Sequence, residues 1–248
     1  MSLRGLWVAT RFLTRLPAPR SSVSSPQDLS RSAAWFPLVG AVVGALVMSI
    51  MMAARPQSVW IASVLGLLVW VWLTGALHLD GLGDLTDALA ASHRDCERFL
   101  AVLADPHIGT FGVVSITLVL LLKLISLVEL SDTALMAVPL VLAWSRAAPL
   151  AWARWLPPLK PGRGEQLARG LRAHWIVFWL LLLLAASVVV APALCVAPVV
   201  IAAWGIWLRI RLGGMTGDCL GAGVEITEVA LLLMLALTDT TGLTGRPT

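Results

Sequence analysis

The stretch Trp175–Leu208, WIVFWLLLLLAASVVVAPALCVAPVVIAAWGIWL, contains no charged residue. As one helix it would run about 50 Å, against a bilayer hydrocarbon core of about 30 Å. Pro192 and Pro198 permit a turn, so the stretch reads as two spans, 175–191 and 193–208. Working outward, Trp35–Ala54 is a similar apolar run, ended by Arg55-Pro56, and Ser58–Leu77 is another. Phe111–Val128 is interrupted by Lys123, and Thr133–Ala153 by Arg146. A last run begins near Ile226 and fades after Leu237. The reading is an all-α, polytopic transmembrane bundle of about seven spans, a single integral membrane domain whose bundle covers 35–238.

Composition agrees. The 248 residues are 58% hydrophobic and only 13% charged, about half the charge of an ordinary soluble domain, with a mean hydropathy of +0.87. Twelve Trp and no Tyr fit interfacial anchoring. The net charge of +4 does not indicate nucleic-acid binding, because the basic residues sit in the connections, where topology signals belong. Cys96, Cys195 and Cys219 are far apart and form neither a disulfide framework nor a zinc motif. The first twenty residues lack the apolar core of a cleavable signal. Instead Leu3, Leu6, Trp7, Leu13 and Leu16 alternate with Arg4, Arg11 and Arg15, which predicts a basic amphipathic helix within 1–20 on the membrane surface, in contact with lipid. Residues 21–30 read as a polar linker and 239–248 as a loose tail.

Orientation follows from the cations. The N-terminal segment and the connections 78–110, 154–174 and 209–225 carry Arg or Lys, whereas 55–57, 129–132 and Pro192 together carry one Arg and two acids. The positive-inside rule puts the basic set in the cytoplasm, with the N-terminus inside and the C-terminus outside.

The acids are clustered. In His78-Leu-Asp80-Gly-Leu-Gly-Asp84-Leu-Thr-Asp87 three aspartates stand at i, i+4 and i+7, one face of a helix, directly after the second span. Three carboxylates on one face repel one another and stay ionised beside a cation; hard oxygen ligands suit Mg²⁺. A solvated acidic loop is the plainer alternative. A second cluster, Gly213-Gly214-Met-Thr-Gly217-Asp218 through Glu225 and Glu228, mixes acids with glycines whose backbone can approach a phosphate closely; it has no Walker ending. The acidic loops 78–110 and 209–228 would then face the cytoplasm together. Asp105-Pro-His107-Ile-Gly109 precedes the third span, and Asp105 is either a helix-entry cap or part of the site. Lys123, about 18 Å into its helix, and Arg146, about 10 Å from its helix end, are deep charges that either pair with acids or meet a phosphate. His78 is a ligand, a proton carrier or a hydrogen-bonded boundary residue.

Taken together, Phe12-Leu-Thr-Arg-Leu-Pro17, the His78–Asp87 string, Asp105-Pro-His-Ile-Gly-Thr-Phe-Gly112 and Gly213–Ala222 with Glu225 and Glu228 resemble the cobalamin synthase family of adenosylcobinamide-GDP ribazoletransferases. The motifs run in order over nearly the whole chain. Ala88 stands where the family usually has Gly, and Met215 where Gln is common. The resemblance implies an inner-membrane, Mg²⁺-dependent transferase that joins adenosylcobinamide-GDP to α-ribazole, or to its 5′-phosphate, and releases GMP. It implies metal binding by Asp80, Asp84 and Asp87, catalytic roles for Asp218, Glu225, Glu228 and Lys123, and substrate contacts from His78, Asp105, Gly109, Arg146, Gly214 and Gly217. The ribazole 3′-hydroxyl would attack the phosphorus next to cobinamide. A homo-oligomer is left open.

Two other classes compete. A CDP-alcohol phosphatidyltransferase also uses spaced aspartates with Mg²⁺, but its DxxDGxxAR…GxxxDxxxD spacing is absent here. A cation transporter places acids near the membrane midplane, whereas most acids here lie at the ends of spans.

Overall fold

The computed structural model describes residues 2–19, 26–92, 95–168 and 170–239. Residues 240–248 of the proposed tail 239–248 and residues 21–25 of the proposed linker 21–30 lie outside them. Thirteen α-helices are described, with no β-strand among these residues. Six are long and apolar enough to cross a membrane, and a bent pair makes a seventh. α1 (Leu3–Leu13) and α2 (Pro26–Ser32) precede α3 (Phe36–Ala54) and α4 (Val59–Thr74). α5 (Leu77–Ser92), α6 (Cys96–Val102) and α7 (Thr110–Glu129) follow. A single turn, α8 (Asp132–Leu135), leads into α9 (Val138–Trp155), and α10 (Arg163–Ala168) lies in the next connection. α11 (Ala173–Val190), α12 (Ala197–Leu212) and α13 (Gly217–Thr238) complete the bundle, with a short 3₁₀ segment, Pro192–Val196, between α11 and α12. The proline pair in the long apolar stretch thus marks the turn, as its chemistry requires.

Polar residues 26–30 belong to α2 rather than to a linker, held in part by the Arg4–Asp28 ion pair at 3.2 Å. α1 is amphipathic, but its packed face is not the one read from leucine spacing. Gly5, Val8, Ala9 and Leu13 are buried against the bundle while Leu3 is exposed. Small residues win that face because the helix lies close against Trp35, whose ring would come within 3.3 Å of a Cβ on Gly5.

Tryptophan has two uses: Trp60, Trp72 and Trp155 are exposed on the bundle surface, while others are buried. Trp70, Trp144 and Trp152 are fully buried. Indole N–H groups tie helices together: Trp144 donates to Ser187 Oγ at 3.0 Å, Trp152 to the Ile201 carbonyl at 2.8 Å and Trp179 to the Ala34 carbonyl at 2.8 Å. In an apolar medium an indole N–H needs such a partner.

Two larger revisions concern the acidic segments. The second span ends at Thr74, where Gly75 and Ala76 both take positive φ, 62° and 58°, and the chain turns by 83° into α5. α5 packs against the first turns of α13 and α7. Gly81 meets the backbone of Asp218 in the first turn of α13, and Gly83 and Asp87 meet the start of α7. The first acidic cluster therefore rides on a helix, not on a loop. Likewise 209–228 is not a loop: α12 continues to Leu212, and α13 begins at Gly217, nine residues earlier than Ile226. Only Gly213–Thr216 connect them, with Thr216 capping α13 through Cys219 N–H.

Candidate active site

The glycine-rich segment of α13 is a packing surface. A Cβ on Gly81 would lie 3.0 Å from the Asp218 carbonyl oxygen, Gly221 faces His78 at 3.5 Å, and a Cβ on Gly223 would strike Trp204 and Trp152 at 2.4–2.5 Å. These glycines let α5, α12 and α9 close on α13, as small residues do in membrane bundles. Gly214, expected to touch substrate, is instead pressed against the Pro157 carbonyl and the Leu159 side chain, beside the Met215 N–H···O=C Pro157 bond of 2.9 Å. Gly217 has open space and lines a cavity.

That cavity, about 120 Å³, is where the two acidic motifs meet. Its polar wall is His78 and Asp80 from α5, Arg146 from α9, Arg163 from α10 and Asp218 from α13. Asp218 accepts from Thr216 Oγ1 at 3.2 Å and pairs with Lys160 at 3.2 Å. His78 is buried, and its Nδ1 has no hydrogen-bond partner. A buried polar atom left unpaired beside a cavity is where a ligand atom is expected.

Asp84, next along the α5 face, is not on the cavity wall but feels the same field. Burial, then the charges of Asp80 and Asp218, push its carboxyl up to about 6, with Lys160 opposing. Among the described residues no set of three His, Cys, Asp or Glu is arranged to hold a metal ion alone. Asp80, Asp84 and Asp218 lie close enough for their charges to act on one another.

Asp87 departs from the expected role. Its carboxylate accepts from Gly109 N–H at 2.7 Å and Gly112 N–H at 2.9 Å, capping α7 from 22 residues away. A Cβ on either glycine would come within 2.5 Å of this carboxylate, so both positions are glycine to admit it. Gly109, expected at the substrate, takes part in this cap. Asp105 does neither of the expected jobs. It is exposed, takes hydrogen bonds from His107 N–H at 3.0 Å and pairs with its ring Nδ1 at 2.6 Å. The backbone bond first, then the ring, holds its carboxyl below the usual range.

The deep charges find one another. Lys123 Nζ donates to Glu225 at 2.6 Å and also to Glu228, and lies 4.5 Å over the Trp70 ring. Glu228 is shared with Arg146 and Ser145. Two cations and two carboxylates close a buried cluster joining α7, α9 and α13, and Lys123, Glu225 and Glu228 do not reach the cavity wall. These three, expected in catalysis, are therefore found paired with one another and with Arg146, as an unpaired charge there is costly. Arg146 alone belongs to both the cluster and the cavity.

The part of the site missed in the sequence is its apolar wall: Phe12, Leu13, Leu29, Phe36 and Leu167. Phe12 stacks on Phe36 with centroids 5.6 Å apart and carries the Arg163 guanidinium 5.7 Å above its ring. The Phe12–Pro17 motif was the available signal.

Fold and site define a polytopic membrane protein with an acid- and arginine-lined cavity formed where α1, α5, α9, α10 and α13 meet. The chain belongs to the cobalamin-5-phosphate synthase family, whose model matches residues 5–236. It is 45% identical over 238 residues to the adenosylcobinamide-GDP ribazoletransferase of Thiobacillus denitrificans, covering 94% of each chain. The enzyme of the same name from Novosphingobium aromaticivorans is 45% identical, covering 95% of this chain and 97% of that one. That from Laribacter hongkongensis is 47% identical, covering 94% and 96%. No solved structure matches.

Proposed function

We propose that this chain transfers the adenosylcobinamide-phosphate group of adenosylcobinamide-GDP to the ribose hydroxyl of α-ribazole, or of its 5′-phosphate, and releases GMP. The observation that carries the reading is the meeting of two motifs, about 130 residues apart in sequence, on one cavity: Asp80 and His78 from the first, Asp218 and Gly217 from the second. The names of the relatives support the reaction. None of the three is named for CDP-alcohol transfer or for transport.

Phosphoryl transfer asks for positioning and charge neutralisation above all. Arg146, fixed by Glu228, presents a cation to the cavity and would offset charge on the diphosphate. Asp80 and Asp218 are the carboxylates on the wall, and the proton of the attacking hydroxyl goes to one of them. The new bond forms between that oxygen and the phosphorus next to cobinamide, and the bond from that phosphorus to the bridging oxygen of GMP breaks. Asp80, Asp84 and Asp218 would hold Mg²⁺, which when bound neutralises the diphosphate and the leaving phosphate. His78 Nδ1 would take a hydrogen bond from a substrate hydroxyl.

The site is assigned to the cytoplasmic face of the inner membrane, because Arg and Lys concentrate in the connections at this end. Lipid surrounds the exposed apolar faces of α3, α7 and α11. The test is full-length protein in lipid given adenosylcobinamide-GDP, α-ribazole and Mg²⁺. Cobalamin and GMP in equal amounts are expected, with loss on chelation. Absence of cobalamin with every component present would overturn the reading.

A further inference from the structure

The connection between α9 and α10, residues 156–162, is braced against the start of α13. Leu159 N–H donates to the Met215 carbonyl at 2.9 Å, and Met215 N–H donates to the Pro157 carbonyl at 2.9 Å. A Cβ on Gly164 would lie 3.2 Å from Gly217 N, so the first turn of α10 is seated on the first turn of α13. This bracing delivers two cations to the site. Arg163 lies on the cavity lining with its guanidinium over the Phe12 ring. Lys160 pairs at 3.2 Å with Asp218, which is itself on the lining, and its charge is felt at Asp84. Resting on the transferase reading, we propose that Lys160 is a substrate-binding residue whose ammonium exchanges Asp218 for a phosphate oxygen of the adenosylcobinamide-GDP diphosphate.

The first support is how loosely Lys160 is held. Its side chain is 32% exposed and that of Asp218 is 26% exposed, and an ion pair in contact with water contributes little net stability. The deep cations have no such freedom. Lys123 is held by Glu225 and Glu228, and Arg146 by Glu228, with every side chain at most 5% exposed. The second support is the residue type. Only two of the 18 basic residues are lysine, Lys123 and Lys160. An ammonium on a flexible stem is a point charge that can trade one oxyanion for another, whereas the planar fork of arginine favours a fixed partner. The third is charge balance. A diphosphate arriving beside Asp80 and Asp218 meets like charge. The ammonium already at Asp218 can turn to it and form a charge-assisted hydrogen bond.

The test uses full-length protein in lipid with Mg²⁺. Adenosylcobinamide-GDP is bound at equilibrium without α-ribazole, so that nothing turns over. Lys160→Met, which removes the charge and keeps the apolar stem, should weaken this binding about tenfold or more. Lys160→Arg, which restores the charge, should hold it within about threefold. KM for α-ribazole and the thermal midpoint should stay those of the unaltered protein in both variants. A second measurement needs no variant. Lys123 is buried, so Lys160 is the lysine that a water-soluble acylating reagent reaches. Adenosylcobinamide-GDP should slow its acylation several-fold, and α-ribazole should not. Unchanged binding in Lys160→Met, equal loss in Lys160→Met and Lys160→Arg, or acylation indifferent to adenosylcobinamide-GDP overturns the exchange and leaves the transferase reading standing. So does a lowered midpoint together with a raised KM for α-ribazole, the mark of a structural pair. An unaltered protein that neither binds adenosylcobinamide-GDP nor forms cobalamin removes both.

Discussion

At the scale of single residues, the acids separate into three jobs that their spacing does not distinguish. Asp80 and Asp218 line the cavity and lack a mainly structural task, so Asp80→Asn and Asp218→Asn should lower kcat/KM on the order of 10²-fold or more. The thermal midpoint should stay near that of the unaltered protein, and a fall in stability matching the activity loss would argue for scaffolding instead. Asp87→Asn behaves differently. An amide oxygen can replace only part of a carboxylate that accepts from both Gly109 and Gly112, so stability should drop by about 1–3 kcal/mol. Excess Mg²⁺ should not restore its activity; rescue by metal would return Asp87 to the ligand set. Glu228→Gln leaves Arg146 without its carboxylate in a buried site, which costs about 3–5 kcal/mol. Detergent-solubilised protein should melt correspondingly lower. An unchanged midpoint would show that the cluster is dispensable.

At the scale of elements, glycine decides how α13 packs. Its first two turns carry three glycines, Gly217, Gly221 and Gly223, and of these only Gly217 has no neighbour closer than 3.9 Å to an added Cβ. Gly223→Ala would drive a methyl group into Trp152 and Trp204, where both rings are held by hydrogen bonds to Ile201 and Cys219 carbonyls. Overpacking of this kind costs about 1–3 kcal/mol. A melting curve of the variant checks it, and Gly217→Ala, with nothing closer than 3.9 Å, is the comparison that should melt normally. The bend between α4 and α5 is the other decisive element. Ala76 sits in the left-handed region, which a residue with a Cβ rarely takes, and this turn carries the chain into the helix that brings His78 and Asp80 to the cavity.

At the scale of the molecule, two native cysteines report the orientation. Cys96 is exposed beside the acidic end, and Cys195 lies in the 3₁₀ turn between α11 and α12. An odd number of crossings separates them, α7 through α11 giving three, so they lie on opposite faces. A membrane-impermeant maleimide applied to spheroplasts should label Cys195 and spare Cys96, and inverted vesicles should give the reverse. Labelling of Cys96 from outside would turn the site to the periplasm.

The sequence by itself determined the membrane class, the count of about seven spans and the order of the motifs. Uncharged runs of bilayer length can satisfy their backbone in lipid only as helices, so local composition is sufficient. It also placed His78, Asp80 and Asp218 among the site residues. Only the tertiary structure decided the partners of the charges. Lys123 meets Glu225 across 102 residues and Asp87 meets Gly109 across 22, and no periodicity encodes a contact between different helices. The apolar wall was hidden for the same reason: Phe12, Leu29 and Leu167 come from three separate short helices that a span count passes over. Where each helix ends was equally a tertiary matter. The glycines of α13 read as a loop because glycine weakens an isolated helix by about 1 kcal/mol each, and here that loss is offset by the close approach of α5, α9 and α12 that glycine alone permits.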